Sequence, residues 1–142
     1  MLRNIFDIGI IKIQVNPLKL NMTRRKLRGE ELFKKIDSTI NNRSLYLNPH
    51  LTRKDICKLF NIDKNILCAV IKQYGDAVNF PEYINKKRMN YCAEKLVTAP
   101  DCPIKVIALE SGFQSAISFN RVFKRFFKMT PTQYLETQKK LS

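Results

Sequence analysis

The stretch IALESGFQSAISFNRVFKRFFKMTPTQYLE, residues 107–136, decides the fold. Pro103 opens a helix with Ile104, Ile107 and Ala108 inward, and Ser111-Gly112 ends it, because glycine takes a positive φ without a Cβ clash. Ser115 is a capping residue for a second helix, in which Phe119, Val122, Phe123 and Phe126 fall on one buried stripe. Thr130-Pro131-Thr132-Gln133 combines a capping hydroxyl, a proline suited to the first helical turn and a Gln at the capping-box position, so a third helix follows. A short helix, a tight turn and an amphipathic helix make a helix-turn-helix unit over about residues 103–128.

Toward the N-terminus the same pattern recurs. Thr52-Arg53-Lys54-Asp55 reads as a capping Thr with an acid three residues on, and Ile56, Leu59 and Phe60 give the next short helix its core face. Asn61 suits the left-handed conformation that ends a helix. Asp63 caps the following one, whose apolar set is Ile66, Leu67, Val70 and Ile71 and whose stop is Gly75. A first unit therefore spans about 52–75. Phe80 and Pro81 open a longer linker helix, about 81–98, carrying Ile84, Met89, Cys92 and Leu96. Ahead of all this, Leu32, Phe33, Ile36 and Ile40 predict a helix from about Glu30 to Asn41. The expected fold class is all-α: two helix-turn-helix units joined by a long linker helix, a homeodomain-like pair, with a basic N-terminal arm.

With 142 residues, 44% of them hydrophobic, the chain has room for one packed domain. Its 26 Lys and Arg against 12 Asp and Glu leave a net charge of +14, which points to a polyanionic partner, nucleic acid before an anionic membrane surface. Residues 1–29 hold seven basic residues and one acid and form the expected arm, leaving 30–142 as the domain. Within the arm Ile11, Ile13 and Val15 alternate with Lys12 and Gln14 as in a strand; a disordered arm and a docked strand both fit. Arg24, Arg25, Lys26 and Arg28 suit phosphates or plain solvation. No run of about 18 uncharged apolar residues exists and no small-residue cleavage site follows the N-terminus, so a cytoplasmic, nucleoid-associated protein is expected. Cys57, Cys68, Cys92 and Cys102 lack any paired zinc spacing and read as reduced core thiols. His50, the lone histidine, reads as a solvated turn residue. A Gly-rich phosphate loop, a metal-ligand cluster and paired catalytic carboxylates are all missing from the sequence, so neither catalysis nor a cofactor is expected.

Residues 107–136 closely resemble the signature of the AraC/XylS DNA-binding domain: the I-A-x-x-x-G-F turn, the F-x-R-x-F-K run at Phe119, Arg121, Phe123 and Lys124, and the T-P-x-x-Y ending. LYLNPHLTRKDICKLFNIDKNIL with FPEYINKKRM is similar to that family's first unit and linker helix. The resemblance covers about residues 45–138, and Leu32 to Ile40 is similar to a lead-in helix of some members. Departures stand at Ala69, where the family usually has Arg, at Lys128 for Gly, at Lys95 for Leu and at Cys92 for Ala. The 44 residues before Leu45, where the resemblance begins, are too few for the sensory module that many members carry. The resemblance implies a transcription regulator without a catalytic step.

The residues themselves suggest where DNA is read. In the second recognition helix the face opposite the core presents Ile117, Asn120, Arg121 and Lys124 at i, i+3, i+4 and i+7. Arg pairs bidentately with guanine, Asn with adenine, and an exposed Ile lies against a thymine methyl, whereas Lys124 and Arg125 suit phosphates. The first recognition helix presents Lys64, Asn65, Cys68, Ala69 and Lys72. Here only Asn65 offers a bidentate pairing, Lys64 and Lys72 suit phosphates, and Cys68 and Ala69 allow close approach, so phosphate positioning and base reading both remain open. A linker helix of about 18 residues is about 27 Å long, comparable with the roughly 34 Å between successive major grooves. The expected partner is double-stranded DNA, read at an asymmetric site by a monomer, with RNA polymerase or a separate sensory protein as candidate further partners. The competing reading is a protein-interaction or nonspecific architectural module that has lost base readout.

Overall fold

The computed structural model describes residues 7–8, 11–12 and 16–142, and seven helices carry the fold. A two-residue antiparallel ladder pairs β1 (Asp7–Ile8) with β2 (Ile11–Lys12). Ile11 thus lies in a strand, while Ile13 and Val15 lie outside the described residues. Helices α1 (Pro17–Asn42), α2 (Arg53–Phe60), α3 (Lys64–Tyr74), α4 (Phe80–Thr98), α5 (Ile104–Glu110), α6 (Ala116–Phe127) and α7 (Pro131–Leu141) follow, with a 3-10 helix at Leu45–Leu47. The all-helical pair of units expected from the sequence is the architecture found, α2 and α3 forming the first and α5 and α6 the second.

Local chemistry sets these boundaries. The Thr52 hydroxyl accepts from the Asp55 amide at 3.3 Å while the Asp55 carboxylate accepts from the Thr52 amide at 2.7 Å, a complete capping box. Thr130 and Gln133 build the equivalent box at α7. Asn61 closes α2 at φ 50°, and Lys128 closes α6 at φ 59°, both in the left-handed region. Gly112 sits at φ +93° in the α5–α6 turn, and a Cβ there would stand 2.7 Å from the Tyr46 carbonyl oxygen and 2.8 Å from Arg88 Nε. Only glycine fits.

Helix α1 starts thirteen residues before the expected Glu30, at Pro17, capped by Asn16, whose side chain accepts from the Leu18 amide at 2.9 Å. It runs unbroken across the expected border between arm and domain. In its first half the described apolar side chains Leu18 and Met22 are 72% and 69% exposed, so they mark no buried stripe. At Gly29 a Cβ would come within 3.3 Å of the Tyr74 ring of α3, and the Tyr74 hydroxyl donates to the Lys26 carbonyl at 2.9 Å.

Two hydrophobic cores form, and among the described residues no buried side chain belongs to both. The first gathers Ile36 and Ile40 of α1, Ile56 of α2, Leu67, Val70 and Ile71 of α3, and Phe80, Tyr83 and Ile84 of α4. The second gathers Met89, Cys92 and Leu96 of α4, Ile107 and Ala108 of α5, Phe113, and Phe119, Val122 and Phe123 of α6. Between Ile84 and Met89 the shared helix α4 presents Asn85, Lys86, Lys87 and Arg88, a polar waist. Lys87 Nζ meets Asp37 Oδ1 at 2.6 Å and Asn41 Oδ1 at 2.8 Å, and the Tyr83 hydroxyl also donates to Asp37, which ties α1 to α4.

Two expected core positions are corrected. Leu59 and Ile66 are 48% and 47% exposed, each standing one residue, about 100° around the helix, before an inward side chain, Phe60 on α2 and Leu67 on α3. Phe60 and Phe126 are half-buried and pack against the first and the second core, as expected. Phe127 packs on Phe123 at 4.5 Å between centroids and on Tyr134 of α7 at 5.0 Å. All four cysteines are free, yet only Cys92 is a core thiol, the other three being half-buried. Burial pushes the Cys92 thiol up to about 12, against a smaller lowering from its hydrogen bond with Ser111. His50 is exposed, as expected.

Candidate nucleic-acid interface

Each unit places an amphipathic helix with one face against its own core, and what remains outward is the candidate reading surface. On α6, burial of Phe119, Val122 and Phe123 forces Ile117, Asn120, Arg121 and Lys124 to solvent. Ile117 is 81% exposed, an apolar side chain held in water by the register of its helix. Arg125 is exposed as well, its guanidinium 5.7 Å from the centroid of the Phe126 ring. No acidic residue occurs between Ala116 and Phe127, so this face is uniformly positive.

On α3 the outward residues are Lys64, Asn65, Ala69 and Lys72, with Cys68 half-buried beside them. Arg53 of α2 reaches across to place Nη1 3.9 Å from Cys68 Sγ. Asp63 caps this helix by accepting from the Asn65 amide. Ile66 joins Ala69 on the outer surface, giving α3 an exposed isoleucine near its N-terminus as Ile117 does for α6. Sequence reasoning placed Ile66 in the core; an apolar residue at the edge of a helical stripe has the same spacing whether it faces in or out.

An open cleft of about 780 Å³ lies where the two units face each other across α4. Its lining includes Thr52, Arg53 and Lys54 at the start of α2, Asn85 and Arg88 of α4, and Gln114, Ser118 and Arg121 from the second unit. Arg121 thus stands on the α6 reading stripe and on the wall of the cleft. Arg53, Lys54 and Gln114 escaped the sequence reading because their relevance depends on the packing of one unit against the other. The signal at Arg53 and Lys54 was their place in the first turn of a capped helix.

Among the described residues no three His, Cys, Asp or Glu side chains come together as metal ligands. No helix among them is long and apolar enough to cross a membrane.

Comparison with known proteins agrees with this geometry. A family model described as a helix-turn-helix domain matches residues 56–137. The chain is 31% identical over 107 residues, 75% of its own length and 36% of the relative's, to the uncharacterized HTH-type transcriptional regulator YijO of Escherichia coli K12. It is 36% identical over 81 residues, 57% of this chain and 28% of the other, to the TCP pilus virulence regulatory protein of Vibrio cholerae O395. The chain therefore spans about a third of the length of these curated relatives. Among solved structures, the C-terminal domain of AraT, a response regulator from Geobacillus stearothermophilus, superposes with a TM-score of 0.67 at 26% identity, covering 74% of this chain and 84% of that one. The match from α2 into α7, the capped turns and the paired units together place this chain in the AraC/XylS-type helix-turn-helix family.

Proposed function

We propose that the protein is a sequence-specific double-stranded DNA-binding transcription regulator that sets α3 and α6 into adjacent major grooves of one duplex face. The carrying observation is the α6 stripe: Ile117, Asn120, Arg121 and Lys124 exposed together on a helix without an acid. Arg121 pairs with a guanine, Asn120 with an adenine, and Ile117 lies on a thymine methyl, while Lys124 and Arg125 hold phosphates. Asn65 is the base reader of α3, Lys64 and Lys72 take phosphates, and Cys68 and Ala69 let the backbone approach. The exposed Arg24, Arg25, Lys26 and Arg28 of α1 add nonspecific attraction. Two directly repeated units in one chain read an asymmetric site, so a monomer suffices. No catalytic step is involved; the protein acts at the nucleoid, and RNA polymerase or a separate sensory protein converts its occupancy into regulation.

Selection from random duplexes, followed by titration of variants on the best site at one salt concentration, tests this reading. Arg121→Ala costs about 1–3 kcal/mol on the selected site and relaxes one or two base pairs, with random DNA bound nearly as before. Lys124→Ala weakens every duplex alike. A selection that returns no motif, or Arg121→Ala with undiminished discrimination, refutes it.

A further inference from the structure

Among the described residues the two cores share no buried side chain and α4 contributes to both, so contacts outside the cores help to hold one unit at a defined angle to the other. Arg88, the last residue of the polar waist, is placed for that task. Its Nε donates to the Tyr46 carbonyl at 2.6 Å and its Nη2 to the Asn48 carbonyl at 2.9 Å, both in the segment that leads into the first unit. Its guanidinium stands 5.6 Å from the ring centroid of Phe113, in the turn of the second unit. Gly112, in that same turn, lies close enough to Tyr46 and Leu47 that a Cβ would touch both carbonyl oxygens and Arg88 Nε. Gln114 Nε2 adds a 3.3 Å donation to the Pro49 carbonyl.

Among the described residues no ion pair involves Arg88; its charge is spent on two main-chain carbonyls of one unit and an aromatic face of the other. A planar guanidinium supplies directed donors and a stacking face at once, which a lysine cannot. The side chain is half-buried, and desolvation lowers its pKa from the usual guanidinium value.

We propose that Arg88 is the joint that sets the separation and rotation of the two recognition helices, and hence the spacing between half-sites that the protein accepts. The claim about spacing rests on the DNA-binding reading above; the claim about the joint does not. One base pair of extra spacer rotates the second half-site by about 34–36° around the duplex, so a rigid pair of readers discriminates between spacers and a loosened pair does not.

Two measurements on the full chain test it, using Arg88→Met and, as the conservative variant, Arg88→Lys. In the first, backbone residual dipolar couplings in a weakly aligning medium are fitted separately for residues 36–84 and 89–134. Wild type gives one alignment tensor for both units, Arg88→Met gives two of different magnitude with each unit's own couplings still fitting its fold, and Arg88→Lys falls between. A single tensor in Arg88→Met overturns the joint; should that variant not fold, a single wild-type tensor in Arg88→Lys does so. In the second, affinities are measured for the selected site with spacers one base pair shorter and longer, and for each half-site alone. Wild type prefers one spacing by about tenfold or more, and Arg88→Met compresses that preference to about twofold with half-site affinities retained. Equal loss on half-sites and whole sites, or an unchanged spacer preference, overturns the role in spacing. A wild type that binds all duplexes alike overturns the DNA reading and the spacing claim with it, and the tensor comparison then decides the joint by itself.

Discussion

Replacing Phe123 by Ala should unfold half of the molecule and spare the other half. Phe123 is fully buried, with the rings of Phe119, Phe127 and Tyr134 at 5.7, 4.5 and 5.6 Å between centroids. Truncation of a buried Phe costs about 3–5 kcal/mol, and three lost ring contacts put this site at the upper end, about 4–5 kcal/mol. Total stability of a domain is about 5–15 kcal/mol, so a loss of that size is most of what one unit has. Because no buried side chain among the described residues is shared between the cores, the loss stays on one side of the α4 waist. Native-state hydrogen exchange reads this directly. Amides of α5, α6 and the Met89–Leu96 part of α4 should lose protection in Phe123→Ala, while those of Leu67 to Ile71 and Tyr83 to Ile84 keep theirs. A uniform loss of protection across both units would refute the separation into two cores.

Two further outcomes follow from local geometry. Lys128→Gly relieves a left-handed residue at φ 59° and should stabilise the protein by about 0.5–1 kcal/mol, raising the melting temperature where Lys128→Ala does not. Asp37 is pushed upward by burial, but hydrogen bonds from Lys87 and Tyr83 and the Lys87 charge outweigh this and hold its carboxyl below the usual value of 3.8. A lowered folded-state pKa means that the ionised form stabilises the fold above the unfolded value, and that the benefit disappears as pH falls through the folded one. Asp37→Asn should therefore melt earlier than wild type at neutral pH and converge with it below about pH 4; a gap independent of pH would show that the charge is not what ties α1 to α4.

What the sequence disclosed, and what it withheld, divides along the line between local and nonlocal chemistry. Caps are local: Thr52 with Asp55, Thr130 with Gln133, Asn61 and Gly112 each announce a helix end within four residues, and the paired units follow from them. Buried stripes were legible where a helix commits one face to a core, as at Phe119, Val122 and Phe123. The first half of α1 was not legible from Leu18 and Met22, which face solvent and so mark no buried stripe. Ile66 and Leu59 misled for the converse reason, being apolar without being covered. The candidate reading residues were visible as an outward stripe, but Arg88 was not, since its partners lie 40 and 42 residues away and are main-chain carbonyls, which no side-chain pattern encodes.

The contact between Gly29 and Tyr74 gives α1 a footprint of its own. Through the Tyr74 hydroxyl, the main chain at Lys26 is fastened to α3, the same helix that carries Asn65. The ten residues from Lys26 back to Asn16 rise about 15 Å along the helix axis, so a stiff rod extends beyond the contact rather than a loose tail. Lys19, Arg24, Arg25 and Arg28 are distributed along and beside that rod at distances from α3 that the helix, not diffusion, determines. Any surface lying along α3 meets those charges at a fixed offset, which converts a basic segment into a ruler.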